Sequence, residues 1–350
     1  MKILFTGVNP ALRGGLERFA ERAAELLRTQ GHTVDVVWRA PDELEAYDLV
    51  VMQKIPEKLS DLRRLKAACG ERLRFYAHDH CIYCLRRHSY WPGRRLCTRT
   101  YSFLPCRLCA AVTRPSFLWR NLTYPLKAFL KEMRTVRAFT PSGFIKERLV
   151  ASGFPADRVK CVFPLFLRVE GSVRPDGDWM PDGRLRVLFL GQLLGGKGVS
   201  VLVEALRHVS VPCTLAIAGT GPDEEKLKRQ ASTLPSGVKV EFLGWQPNPE
   251  PLFAASDVCV VPSLWHEPFG TVGAEALSHG VPVVTFDVGG LRDWLKPGET
   301  GFFAEDRSPR ALAAALDKIA DPKLLARLGA KSMEFARRTF SPERFLEEFT

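Results

Sequence analysis

Two rhythms alternate along this chain. Residues 2–6 form a short apolar run. Leu16, Phe19, Ala20, Ala23, Leu26 and Leu27 then recur at helical spacing, and Gly31 closes that segment. Runs 32–37, 49–52 and 73–77 predict further strands. Ser142 heads a helical segment that runs to about Ser152 and is stopped by Gly153. After a turn-rich stretch at 174–183 the pattern restarts. Strands are predicted at 186–190, 214–218, 238–243, 258–261 and 283–286, and helices at 199–207, 223–230, 309–319, 323–338 and 342–349. Strand and helix alternating in this way predict an α/β fold of doubly wound parallel sheets covered by helices.

The pattern occurs twice, and 350 residues exceed what one hydrophobic core usually spans. We therefore predict two facing Rossmann-like domains. The first covers 1–168, with an insertion at about 80–137, and 169–184 is a linker. The second covers 185–335, and 336–350 is a C-terminal helix packing back toward the first domain. In such sheets ligands sit beyond the carboxyl ends of the strands. There is no internal repeat.

Composition is that of a globular protein, 46% apolar and 25% charged. No apolar run approaches the ~20 residues that span a bilayer. The apolar start 2–6 is broken too soon for a signal peptide, which predicts a cytoplasmic protein. The net charge of +11 is local: between Leu85 and Arg137 twelve Arg and Lys face one acid, Glu132. Tyr90, Trp91, Tyr101, Phe103, Phe117, Trp119 and Phe129 interleave these charges. Such mixing favours an anionic membrane surface as partner over nucleic acid or a merely solvated face, so the expected place is peripheral, on the inner face of the cell membrane.

The richest segment is Pro262-Ser-Leu-Trp-His-Glu-Pro-Phe-Gly-Thr-Val-Gly-Ala-Glu275. Pro268 holds Glu267 in a loop. Phe269, Gly270 and Thr271 then open a helix whose N-terminal N–H groups favour anions, and Glu275 lies about one turn in. Loop 191–198 joins glycines to one cation, Lys197, which suits a diphosphate; it lacks P-loop spacing. Gly14-Gly15 opens the first long helix and permits close backbone approach. His78 directly follows a strand and can bond a sugar hydroxyl or titrate. Cys84, Cys97, Cys106 and Cys109 lie close in sequence, with Cys106-x2-Cys109 at ligand spacing. The spacing fits structural zinc, and less well an iron–sulfur cluster.

Together these residues resemble the family-4 retaining glycosyltransferases of the GT-B fold, over nearly the whole chain. Gly14-Gly15-Leu-Glu17-Arg is similar to that family's Gly-Gly-x-Glu loop, and 191–198 to its Gly-Arg-Leu-x3-Lys-Gly motif. The Glu267-x7-Glu275 pair, with Pro268-Phe-Gly270 inside it, is the most specific match, and His78-Asp79 with the four cysteines is similar to a cysteine-bearing subset. The resemblance implies a nucleoside diphosphate sugar donor, UDP- or GDP-linked, and a glycan or lipid-linked acceptor on the first domain. By the same resemblance Glu267 contacts the donor sugar, Glu275 the ribose, Lys197 and the helix start at Phe269, Gly270 and Thr271 the diphosphate, and His78 the region of the anomeric centre. Gly14-Gly15 would sit by the leaving phosphate. Gln192 stands where the family usually has Arg, and Gln cannot make the bidentate cationic contact. The implied activity is metal-independent, retaining transfer in cell-surface polysaccharide assembly. The competing readings are a GT-B epimerase or phosphorylase, a zinc-bearing nucleic-acid-binding protein, and a non-catalytic binding protein.

Overall fold

The computed structural model describes residues 1–9, 11, 12, 14–86, 89–91, 95–113, 125–166 and 179–349. Parts of the basic block (87, 88, 92–94, 114–124) and of the linker (167–178) lie outside the described residues. The chain forms two compact units, Met1–Leu165 with Pro342–Thr350, and Phe166–Ser341.

In the first unit β1 (Lys2–Thr6), β2 (Thr33–Val37), β3 (Leu49–Met52) and β4 (Leu73–Tyr76) make one sheet with two further strands. Between β4 and those strands lies a small antiparallel hairpin, β5 (Tyr90–Trp91) with β6 (Arg95–Leu96). The sheet is completed by β7 (Arg137–Thr140) and β8 (Val159–Cys161), in the order β2-β1-β3-β4-β7-β8. All five pairings are parallel, so the strands bury both faces and read as near-continuous apolar runs. The helix Gly15–Thr29 lays Phe19, Ala20, Ala23 and Leu27 on this sheet. The helix Pro342–Phe349 returns to the same core: Phe349 meets Phe5 and Phe139, and Phe345 meets Phe19. Lys160 Nζ caps it by donating to the Glu347 carbonyl at 3.2 Å.

The second unit has six parallel strands: β9 (Leu185–Leu190), β10 (Cys213–Ala218), β11 (Lys239–Gly244), β12 (Val258–Val261), β13 (Val283–Phe286) and β14 (Gly301–Ala304). Their order is β11-β10-β9-β12-β13-β14. The chain reverses its direction of travel across the sheet between β9 and β12. That is the topological switch point at which such sheets bind ligands. The edge of β9 is tied to β12 by a buried ion pair. Asp257, fully buried, accepts from Arg186 Nε at 3.1 Å and Nη2 at 3.0 Å, and from the backbone N–H groups of Arg186 and Met180. Burial pushes its carboxyl pKa up, against the opposing pull of these donors.

The cysteine-bearing insertion contains regular structure. Residues Phe103–Thr113 form a helix that carries both Cys106 and Cys109. No helix among the described residues is long and apolar enough to cross a membrane.

Candidate active site

At the switch point of the second unit two loops interlock. The loop after β9 passes so close to its neighbours that side chains are excluded. A Cβ on Gly198 would fall 1.8 Å from the Pro262 carbonyl oxygen, and one on Gly196 would fall 2.0 Å from the Trp265 ring. Gly198 is also left-handed, at φ +73°, a conformation that costs any L-residue energy. The Leu264 N–H closes the contact by donating to the Gly196 carbonyl at 2.9 Å.

This interlock brings Lys197 to Glu267. The ammonium donates to Glu267 Oε1 at 2.7 Å, joined on the same oxygen by Trp265 Nε1 at 2.9 Å and by the Ser263 hydroxyl. Burial pushes the Glu267 pKa up, but the Lys197 charge and the three hydrogen bonds outweigh it, and the net shift is downward. Glu267 is therefore an anion at neutral pH although buried. The Lys197 side chain is 28% exposed and that of Glu267 7%, so the ammonium forms the open side of the pair. Glu267's backbone is fixed in turn: Gly290 N–H donates to its carbonyl at 2.8 Å, and Gly289, at φ +62°, leaves no room for a Cβ against it.

Four residues on, the helix Thr271–Ser278 begins, with left-handed Gly270 as its N-cap. Phe269 is buried beside Phe166 and Phe340, and its carbonyl accepts from Trp294 Nε1 at 2.6 Å. Glu275 is 4% exposed and faces the foot of β12, where burial, and secondarily the Glu275 charge, pushes the Cys259 thiol up to about 12. The second unit thus pairs Lys197 with Glu267, and the segment that follows carries Phe269, Gly270, Thr271 and Glu275, with Phe269 and Glu275 buried. Gln192 lies in the same β9 loop with its side chain exposed.

His78, Gly14 and Gly15 belong to the first unit. His78 follows β4, stacks on Tyr76 at 4.4 Å and meets the edge of Phe19, a residue of the helix that Gly14 caps. Its Nε2 pairs with Gln53 Oε1 at 2.6 Å. Burial lowers its pKa to about 3, against a smaller opposing effect of Asp79. Gln53 carries no sequence signal of its own; the strand end before it was the only pointer. Gly14 N–H donates to Glu17 Oε2 at 3.2 Å, so Glu17 serves its own helix start. A Cβ at Gly15 would meet nothing.

The depressed His78 pKa has a consequence for stability. Its folded value lies below the ordinary 6.5. Between the two the unfolded chain binds the proton and the folded chain does not, so the contribution is present above pH 6.5 and lost as pH falls toward 3. Acidifying from pH 6.5 to 5 should cost the first unit about 1–2 kcal/mol, discounted for partial exposure. Urea midpoints at both pH values should show this loss in the wild type and a flatter response in His78→Asn.

The structure gives no direct support to a metal site at Cys84, Cys97, Cys106 and Cys109, although these thiols lie near enough to perturb one another's charge. Among the described residues no group of three or more His, Cys, Asp or Glu is arranged to hold a metal ion. Two of the thiols accept hydrogen bonds around the helix Phe103–Thr113. Cys106 Sγ accepts from the Ser102 N–H, and Cys109 Sγ from the Arg86 guanidinium at 3.9 Å. Burial raises the pKa of both thiols, and the neighbouring Cys84 and Cys97 add to the shift.

The family model described as "Glycosyl transferases group 1" matches residues 180–335, and "Glycosyltransferase Family 4" matches residues 13–164. An uncharacterized glycosyltransferase of Methanocaldococcus jannaschii is 27% identical over 344 residues, 89% of this chain and 86% of that protein. The lipopolysaccharide core biosynthesis glycosyltransferase LpsE of Rhizobium meliloti is 31% identical over 164 residues, 47% of this chain and 48% of that one. Among solved structures, Anabaena HepE in complex with UDP superimposes with a TM-score of 0.73 at 18% identity, over 100% of this chain and 98% of HepE. At that identity the likeness speaks for the fold. With the two family models covering residues 13–164 and 180–335, including the interlocked loops at the switch point, the chain belongs to the family-4 type glycosyltransferases of the GT-B fold.

Proposed function

We propose that this enzyme is a retaining transferase that moves a sugar from a nucleoside diphosphate sugar to a glycan or lipid-linked acceptor in cell-surface polysaccharide assembly. The observation that carries this reading is the Lys197–Glu267 pair, its carboxylate buried and its ammonium open, followed by a helix that carries Glu275. A UDP-linked donor is preferred, because HepE was crystallised with UDP.

In this reading Glu267 stays ionised, holds Lys197 in place and accepts from a donor-sugar hydroxyl. Lys197 and the helix N-terminus stabilise the charge that develops on the departing diphosphate. Glu275 accepts from the ribose hydroxyls. A diphosphate oxygen takes the acceptor's proton on the face it leaves, so the anomeric configuration is retained and no protein nucleophile is needed. The diphosphate's charge is met by protein groups, so the transfer step needs no divalent cation. His78, uncharged through the physiological range, donates or accepts a hydrogen bond near the anomeric centre.

NMR of the product formed from an α-linked UDP-sugar tests the reading: a new α-linkage is expected, and a β-linkage would overturn it. Release of an epimerised free sugar without acceptor would instead indicate the epimerase chemistry.

The basic insertion is the proposed contact with an anionic membrane surface. Leu104 and Leu108, one turn apart on the helix Phe103–Thr113, are 63% and 58% exposed, as an interfacial helix requires. Co-sedimentation with phosphatidylglycerol vesicles should fall with added salt; salt-independent binding would contradict the charge component.

A further inference from the structure

At the carboxyl edge of the first sheet, adjacent strands place further residues beside His78. The order β2-β1-β3-β4 is parallel throughout, so Trp38, Gly7, Gln53 with Lys54, and His78 all follow strand ends on that edge. Trp38 is 37% exposed, one of few large apolar side chains left open to solvent. The Lys54 ammonium sits over its ring, 4.8 Å from the centroid, which holds an exposed indole in one orientation. The backbone beneath is rigid: Gly7 N–H donates to the Trp38 carbonyl at 3.2 Å, and Gln53 N–H to the Thr6 carbonyl at 2.8 Å. Gly7, at φ +86°, abuts Lys54 so closely that a Cβ would fall 2.9 Å from its backbone nitrogen.

Gln53 supplies an independent observation. It is 2% exposed and spends its amide oxygen on His78, while its amide nitrogen is buried with no hydrogen-bond partner. Exchanging the two amide atoms changes only which one is unused. A buried polar atom without a partner is costly in a folded chain and is relieved by a ligand that supplies one.

We propose that Trp38, Lys54 and Gln53 form an acceptor subsite for a saccharide carrying a negatively charged substituent. Trp38 receives the apolar face of a pyranose ring, Lys54 pairs with the anion, and the Gln53 amide meets a hydroxyl beside His78. The inference rests on the glycosyltransfer reading, which supplies the acceptor's role.

Saturation-transfer NMR on the full chain tests it with three probes: methyl glucoside, methyl glucuronide and glucose 6-phosphate. Both charged probes should bind about tenfold more tightly than the neutral one, and the stronger of the two identifies carboxylate or phosphate as the anion. Trp38→Ala should abolish transfer to all three, and Trp38→Phe should retain it. Lys54→Ala should reduce the charged probes to the neutral level, and Lys54→Arg should preserve their advantage. Unchanged binding in Trp38→Ala, or a charge preference indifferent to Lys54, would overturn the proposal. UDP binding on the same samples separates the two claims. It should be intact in every variant, and a wild type that takes the saccharide probes but no UDP would contradict the donor site while leaving the subsite standing.

Discussion

Lys197→Ala is expected to lower turnover by about 10²–10³-fold, the usual loss when one group stabilising a developing anion is removed. Two effects are contained in that number. The ammonium is a cation at the switch point, and it is also the counter-charge that keeps buried Glu267 ionised. Its removal leaves a carboxyl with only Ser263 and Trp265 as donors, so burial should drive the Glu267 pKa up and part of the population should be protonated. Breaking a buried pair from one side also costs stability, by about 3–5 kcal/mol in comparable cases. The double variant Lys197→Met/Glu267→Gln separates the effects. It carries no stranded charge and should recover most of the melting temperature, yet remain as slow as the single variant. Recovery of turnover along with stability would show that Lys197 serves the fold alone.

The largest purely structural effect is expected at Asp257. Asp257→Ala removes the fully buried carboxylate that accepts from the partly exposed Arg186 guanidinium and from two backbone N–H groups. The expected loss is about 3–5 kcal/mol, which for a unit of this size lowers the melting temperature by roughly 10 °C. Asp257→Asn keeps the shape and one acceptor and should lose less. Replacing both partners, Arg186→Leu with Asp257→Leu, removes the unpaired charge and should regain part of the loss. The pair ties the start of β9 to the segment before β12. Calorimetry of Asp257→Ala should therefore show weakened nucleotide binding together with the lowered transition; a transition at the wild-type temperature would contradict this account.

How legible this was depended on local signal. The strands of the second unit announce themselves as unbroken apolar runs such as 258–261 and 283–286, because a parallel sheet is buried on both faces. The segment from Glu267 to Glu275 was legible because Pro268 and Gly270 each have one structural use there. Short strands were silent. Arg137–Thr140 and Val159–Cys161 are four and three residues long, and β14 has only four, too few for a period to show. The cysteine spacing fixes closeness along the chain, and the fold keeps the thiols of Cys84, Cys97, Cys106 and Cys109 near one another. Once Phe103–Thr113 coils into a helix, Ser102 and Arg86 take up the thiols of Cys106 and Cys109. Gln53, Trp38 and Lys54 were invisible for a different reason: they become neighbours only when β2, β3 and β4 assemble around β1.

The central claim is that the switch point of the second unit binds a nucleoside diphosphate through Glu275 and the groups around Lys197. Isothermal titration of UDP and UMP into the wild type and Glu275→Ala tests it most directly. Saturable binding is predicted, tighter for UDP than for UMP, and weaker for both by about tenfold in Glu275→Ala, as loss of a charged hydrogen bond implies. Equal affinity of the two proteins for UDP, or no binding of UDP to the wild type, would contradict the assignment.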